Sequence, residues 1–171
     1  MKTFAILALI AGFAFAAPAA PAKPGCADAA AAAAGNSTLT GASCAEARAK
    51  LVDGIKANLN IQAQELKGIQ CLQKEEGTAG FKAEQASVLK IQQKGIEIRA
   101  NNQKLAKEIN SPAAAGLDIV AGAQVKEMMQ VMSLNGTAKA DDATLKMLVQ
   151  EVEDGTKQNE KNLAEAKSTK C

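Results

Sequence analysis

The chain has 171 residues, 20 Lys and Arg against 18 Asp and Glu, and a formal charge of +2. That balance excludes a dedicated nucleic-acid binder, which offsets phosphate with a basic face. Histidine, Trp and Tyr are absent, so neither the usual proton shuttle and metal ligand nor an aromatic stacking platform is expected.

Residues 1–16 read as a signal peptide. Lys2 gives the positive n-region, residues 4–15 an apolar run too short to span a bilayer, and Ala14-Phe15-Ala16 the small-x-small cleavage pattern. Removing them takes away Lys2 and leaves 19 basic against 18 acidic side chains, or +1. No later run is apolar for long enough to be a transmembrane segment. The expected product is secreted, extracellular and compatible with cell-wall association.

Residues 17–42 read as a Pro/Ala-rich tether and lead-in segment. Pro18, Pro21 and Pro24 fall at every third position, which favours an extended spacer. Residues 28–34 are an alanine-rich helix former stopped by Gly35. Asn36-Ser37-Thr38 is an N-glycosylation sequon.

Residues 43–171 read as a helical domain whose long N-terminal hairpin folds at Gly77-Thr78-Ala79-Gly80. Ser43 and Glu46 form a capping-box pattern at the start of the first helix. Its apolar face carries Leu51, Val52, Ile55, Leu59, Leu66 and Ile69, with Gln62 in the same row, and it is predicted over 43–76. The second helix begins near Thr78. Phe81, Val88, Ile91, Gly95, Ile98, Asn102, Leu105 and Ile109 follow three- and four-residue steps, and Leu89 and Ile96 widen the stripe into one suited to a bundle core. Asn102 reads as an exposed edge of that stripe, with a register-fixing buried pair as the alternative.

Asn110-Ser111-Pro112 ends the second helix and starts the third, because proline is tolerated only in a first turn. The third carries Leu117, Val120, Val125, Met128, Met129, Val131, Met132 and Leu134, and stops at Asn135-Gly136-Thr137, a turn and a second sequon. Asp141 and Asp142 favour the N-terminus of a fourth helix that carries Leu145, Leu148, Val149, Val152, Leu163 and Ala166. Asp142/Lys146 and Glu153/Lys157 are expected surface pairs. The run Asp53-Gly54-Ile55-Lys56-Ala57-Asn58 is echoed by Asp154-Gly155-Thr156-Lys157-Gln158-Asn159. Its glycines suit a close approach of the first and fourth helices; chance similarity explains the echo equally well.

Cys26, Cys44, Cys71 and Cys171 are an even set in an exported chain, which predicts two disulfides. Cys44 and Cys71 lie on one helix, about 40 Å apart at 1.5 Å per residue, and cannot pair. In an up-down-up-down layout the end of the fourth helix lies beside the start of the first. The preferred pairing is therefore Cys44 with Cys171 and Cys26 with Cys71. Cys26–Cys44 with Cys71–Cys171 is the alternative.

No nucleophile constellation, phosphate loop or dinucleotide fingerprint is present, and neither an enzyme nor a cofactor or metal is expected. Asp141/Asp142 and Glu153/Asp154 fit helix capping and solubility better than paired-carboxylate hydrolysis. Met128, Met129 and Met132 read first as core filling, second as the lining of an apolar interhelical pocket.

The Ala-Phe-Ala cleavage pattern followed by Ala17-Pro18, the alanine-rich lead-in, the four cysteines and the short helical body resemble those of fungal small secreted proteins. In architecture the chain is similar to the helical hydrophobic-surface-binding proteins of filamentous fungi. The resemblance implies a secreted location and action by binding. The expected fold is all-α, an antiparallel up-down-up-down four-helix bundle with two disulfides. The expected function is non-catalytic, effector-like binding of a host or cell-wall partner through Lys/Gln/Asn-rich helix faces. The alternative is an amphipathic protein that binds lipid or hydrophobic surfaces.

Overall fold

The computed structural model describes residues 41–171, which lie within one compact unit, Gly35–Cys171. The expected signal peptide, the tether through residue 40, the alanine-rich helix, Asn36 and Cys26 lie outside the described residues.

Four helices make up the described part: α1 (Gly41–Glu75), α2 (Phe81–Glu108), α3 (Ala114–Ser133) and α4 (Ala138–Lys167). There is no strand among the described residues. The α1 helix is already running at Gly41, so Ser43 lies inside its first turn, not at its cap. Glu46, the expected capping-box partner, instead pairs with Lys50 at 2.7 Å. At the other end Gly77 has φ of 76°, the left-handed conformation that lets glycine follow a helix C-terminus. Its N–H donates to the Gly136 carbonyl at 2.8 Å, joining the α1–α2 and α3–α4 connections.

Pro112 sits in the turn before α3, not in its first helical position. Ser111 organises this turn: its Oγ accepts from the Ala113 N–H at 3.3 Å and lies 2.8 Å from Thr169 Oγ1 beyond α4. The α3–α4 connection is held by a single carboxylate. Asp141 Oδ2 accepts from the backbone N–H groups of Asn135, Gly136 and Thr137 at 2.9, 2.6 and 3.2 Å.

Helix α1 packs against α2 and α4, and α3 packs against the same two helices. Residue pairings fix the directions. Gly54 faces Asn102 and Gly68 faces Val88, so residue numbers fall along α2 as they rise along α1. Arg48 donates to the Thr169 carbonyl at 2.9 Å, while Asn159 bonds Asn58 further along the pair. Between α3 and α4, Gly116 faces Asn162 and Lys126 pairs with Glu151.

The buried positions climb each helix in alternating three- and four-residue steps. On α2 they are Phe81, Gln85, Val88, Gln92, Gly95, Arg99, Asn102 and Ala106; on α3, Leu117, Val120, Gln124, Glu127 and Val131. The apolar members separate into two clusters. One, near the chain's C-terminus, contains Leu51, Ile55, Ala106, Ile109, Leu117 and Ala166. The other, toward the Gly77 and Gly136 turns, contains Ile69, Leu72, Phe81, Val131, Leu145 and Leu148.

Cys44 and Cys171 form a disulfide across the first cluster's end, with a Cα–Cα distance of 5.5 Å. That is the pairing expected from the placement of the α4 end beside the α1 start. One disulfide, not two, is found among the described residues: Cys71 has no partner there and stands exposed on the outward side of α1, next to the buried Leu72. Its expected partner, Cys26, is outside the described residues.

Candidate functional site

Between the two apolar clusters the buried rows turn polar. The belt includes Asn58, Gln62 and Glu65 on α1, Gln92, Arg99 and Asn102 on α2, Gln124 and Glu127 on α3, and Asn159 and Asn162 on α4, all buried. Asn102, expected at an exposed edge, is fully buried. It fits because Gly54 opposite it has no side chain: a β-carbon there would collide with Asn102 Oδ1. Gly116 makes the same room for Asn162.

The echoed runs of α1 and α4 meet here, and one of their two glycines serves the approach: Gly155 of α4 faces Gln62 of α1, where a β-carbon would lie 3.0 Å from Nε2. Gly54 faces α2, while the closing asparagines of the two runs bond each other, Asn159 Nδ2 to Asn58 Oδ1 at 3.0 Å. Asn159 Nδ2 also lies 2.8 Å from Gln62 Oε1, and Asn58 donates to the Gly95 carbonyl at 3.1 Å. The amides thus tie α1 to both α2 and α4.

The charged centre of the belt is Glu65, Arg99 and Glu127. Glu65 Oε1 accepts from Gln92 Nε2 at 2.7 Å and Gln124 Nε2 at 2.9 Å. Burial still raises its pKa above the usual carboxylate value, against the pull of those donors and of Arg99. Burial lowers the pKa of Arg99, opposed by the charges of Glu65 and Glu127. Burial pushes Glu127 up from 4.5 to about 7; repulsion from Glu65 adds to this and attraction to Arg99 opposes it. Several polar atoms in the belt have no hydrogen-bond partner, among them Glu65 Oε2, Gln92 Oε1, Arg99 Nε and both side-chain polar atoms of Asn102.

A cleft of about 320 Å³ between α3 and α4 opens onto this centre. Ile119, Val120 and Ala123 form an apolar α3 wall, Glu151 and Asp154 stand on α4, and Glu127 lies at the inner side. Glu151 Oε1 pairs with Lys126 at 2.6 Å, and Asp154 pairs with Lys157 at 3.0 Å.

The methionines read first as core and second as pocket lining stand outside both the buried core and this cleft. Met128 is half-buried, while Met129 and Met132 are 58% and 63% exposed. With Val125 at 47%, the two exposed methionines form an apolar stripe on the outward side of α3, while Ile119, 64% exposed, stands toward α4 at the cleft. The stripe arises because α3 has apolar residues on both faces; only Asp118, Lys126 and Glu127 are charged.

Asn135 is exposed in the α3–α4 connection. Asp142 pairs with Lys146 at 2.7 Å as expected, whereas Lys157 pairs with Asp154 and not with Glu153. The belt itself was not foreseen. Its signal was available in the unbroken three/four spacing that runs through polar residues from Val88 to Ala106. Compared with protein-family models, curated proteins and solved structures, the chain matches none of them.

Proposed function

We propose that the chain is a secreted, non-catalytic binding protein, an up-down-up-down four-helix bundle that binds hydrophobic or lipid surfaces through the outward face of α3. The antiparallel residue pairings between neighbouring helices support the topology. The apolar run before Ala16 and the Cys44–Cys171 disulfide support an exported, oxidised setting. Exposed Asn135 is a glycosylation acceptor compatible with that route.

The observation that carries the binding reading is the stripe of Val125, Met129 and Met132. A helix of a closed bundle needs one apolar face; α3 has a second, which faces water. Methionine's flexible thioether adapts to irregular apolar partners, and a contiguous exposed patch marks an interaction surface. A host or cell-wall protein seated on the same stripe is the second reading, with Asp118 and Lys126 as its polar rim.

The test is flotation with phosphatidylcholine vesicles and retention on polystyrene beads, comparing the wild type with Val125→Lys/Met129→Lys. Surface binding by the wild type and its loss in the variant are expected. If the wild type ignores both surfaces, the lipid reading fails and the protein-partner reading takes its place.

A further inference from the structure

The surface stripe leaves the α3–α4 cleft unexplained. Glu127 is only 4% exposed, yet it lines that cleft and no side chain or backbone group hydrogen-bonds to it. The neighbouring carboxylates differ: Glu151 holds Lys126 and Asp154 holds Lys157. The cleft's one cation is therefore already committed, and Glu127 is the carboxylate without a contacting base. Glu151 contributes a second acceptor, because its Oε2 is buried without a hydrogen-bond partner. The other wall, Ile119, Val120 and Ala123, offers only hydrocarbon.

We propose that this cleft is a binding site for a primary ammonium on a short apolar body, with the ammonium held by Glu127 and Glu151 Oε2 and the body lying on Ile119, Val120 and Ala123. An ammonium has three donors and no acceptor, which matches a cleft lined by the carboxylates of Glu127 and Glu151. A hard metal ion would need several oxygen ligands, and no group of acidic, cysteine or histidine side chains among the described residues is placed to supply them. The volume is at the lower end of the range for small-molecule sites, roughly 300–1,000 Å³. The ligand also supplies a positive charge beside Glu127, where the repulsion from Glu65 and Glu151 is opposed by Arg99 and Lys126 alone.

The groups facing Glu127 are Glu65 from α1, Arg99 from α2, Glu151 from α4 and Lys126 beside it on α3. Asp154 shares the cleft. Their combined field and its burial place the Glu127 titration at about 7, well below that of an alkylammonium. Binding therefore weakens on acidification, by about tenfold per pH unit once Glu127 is protonated.

The experiment is amide-resolved NMR titration of the intact protein at about pH 8 with hexylammonium chloride, with 1-hexanol and hexanoate as matched probes. Saturable shifts at Val120, Ala123 and Glu151 with hexylammonium are expected, with 1-hexanol binding at least about tenfold more weakly and hexanoate not at all. Glu127→Gln should weaken hexylammonium at least about tenfold. Ala123→Leu, which fills the cleft and keeps the carboxylate, should block it too; circular dichroism checks that both variants are folded. Equal binding of hexylammonium and 1-hexanol would reduce the site to an apolar slot and overturn the proposal. So would an absence of saturable shifts, or full hexylammonium affinity in folded Glu127→Gln. Vesicle binding through the outer face of α3 is read separately, so either result stands without the other.

Discussion

Asn102 occupies the space that a side chain at Gly54 would need: its Oδ1 lies where a β-carbon on that glycine would collide with it. Both side-chain polar atoms of Asn102 are buried without hydrogen-bond partners. The glycine therefore admits an amide whose desolvation nothing in the structure offsets. Gly54→Ala should destabilise the protein by roughly 1–3 kcal/mol through overpacking. Asn102→Leu keeps the branched shape, removes the unpaired atoms and should stabilise it by about 1 kcal/mol. Urea midpoints of the two variants decide this; a destabilised Asn102→Leu would mean that the amide is satisfied in solution.

Glu127 makes stability depend on pH. Its pKa rises from 4.5 to about 7 on folding, so between those values the native chain binds more protons than the unfolded chain. Stability from this group is fully present below the lower value and falls as pH rises through the window. At about 1.4 kcal/mol per pH unit the whole change is roughly 3 kcal/mol. Glu127→Gln should make the dependence shallower, leaving the part due to Glu65, and leave the protein roughly 2–3 kcal/mol more stable at about pH 8. Urea unfolding at about pH 5 and 8 measures both. A wild-type stability that is flat or rising with pH would contradict the assigned burial.

Asp141 ties three N–H groups of the α3–α4 connection to one oxygen. Asp141→Ala leaves those donors without their charged acceptor in a half-buried turn and should cost roughly 2–3 kcal/mol. Asp142→Ala, which breaks only an exposed pair with Lys146, should change stability by less than about 0.5 kcal/mol. Thermal melts of the two neighbouring variants make the comparison.

The Cys44–Cys171 bond closes a sequence separation of 127 residues. Its removal by Cys44→Ser/Cys171→Ser should lower stability by about 5 kcal/mol in the chain-entropy relation. Cys71→Ser should be nearly neutral in the same assay, since that thiol is exposed and unbonded. A matching loss in Cys71→Ser would show that Cys71 has a partner in the mature protein.

The helices were legible because their turns are marked by Gly77, Pro112 and Gly136, and the Cys44–Cys171 pairing followed from helix order. The interior was legible only at its two ends. In the middle, apolar residues sit one place away from the buried row: Leu59 and Leu66 are half-buried while Asn58 and Glu65 are buried, and the same holds for Ile91 and Ile98 beside Gln92 and Arg99. Following hydrophobicity alone, the sequence pattern shifts onto these shoulders and takes the polar residues for surface. Asn102 was on the right row but carried the wrong expectation, because its fit depends on a glycine from a different helix. The α3 stripe was misread in the opposite sense, since exposed methionines and buried ones have the same periodicity.

The polar belt also sets how the molecule comes apart. The two apolar clusters are separate, so loosening at the Gly77 and Gly136 turns reaches the disulfide end through a largely polar layer. Within the belt, hydrogen bonds and charge hold the helices to one another, and these respond to pH and salt where the apolar clusters do not. Amide exchange should therefore show two separately protected blocks, with the half lacking the disulfide opening first as Glu65 and Glu127 ionise.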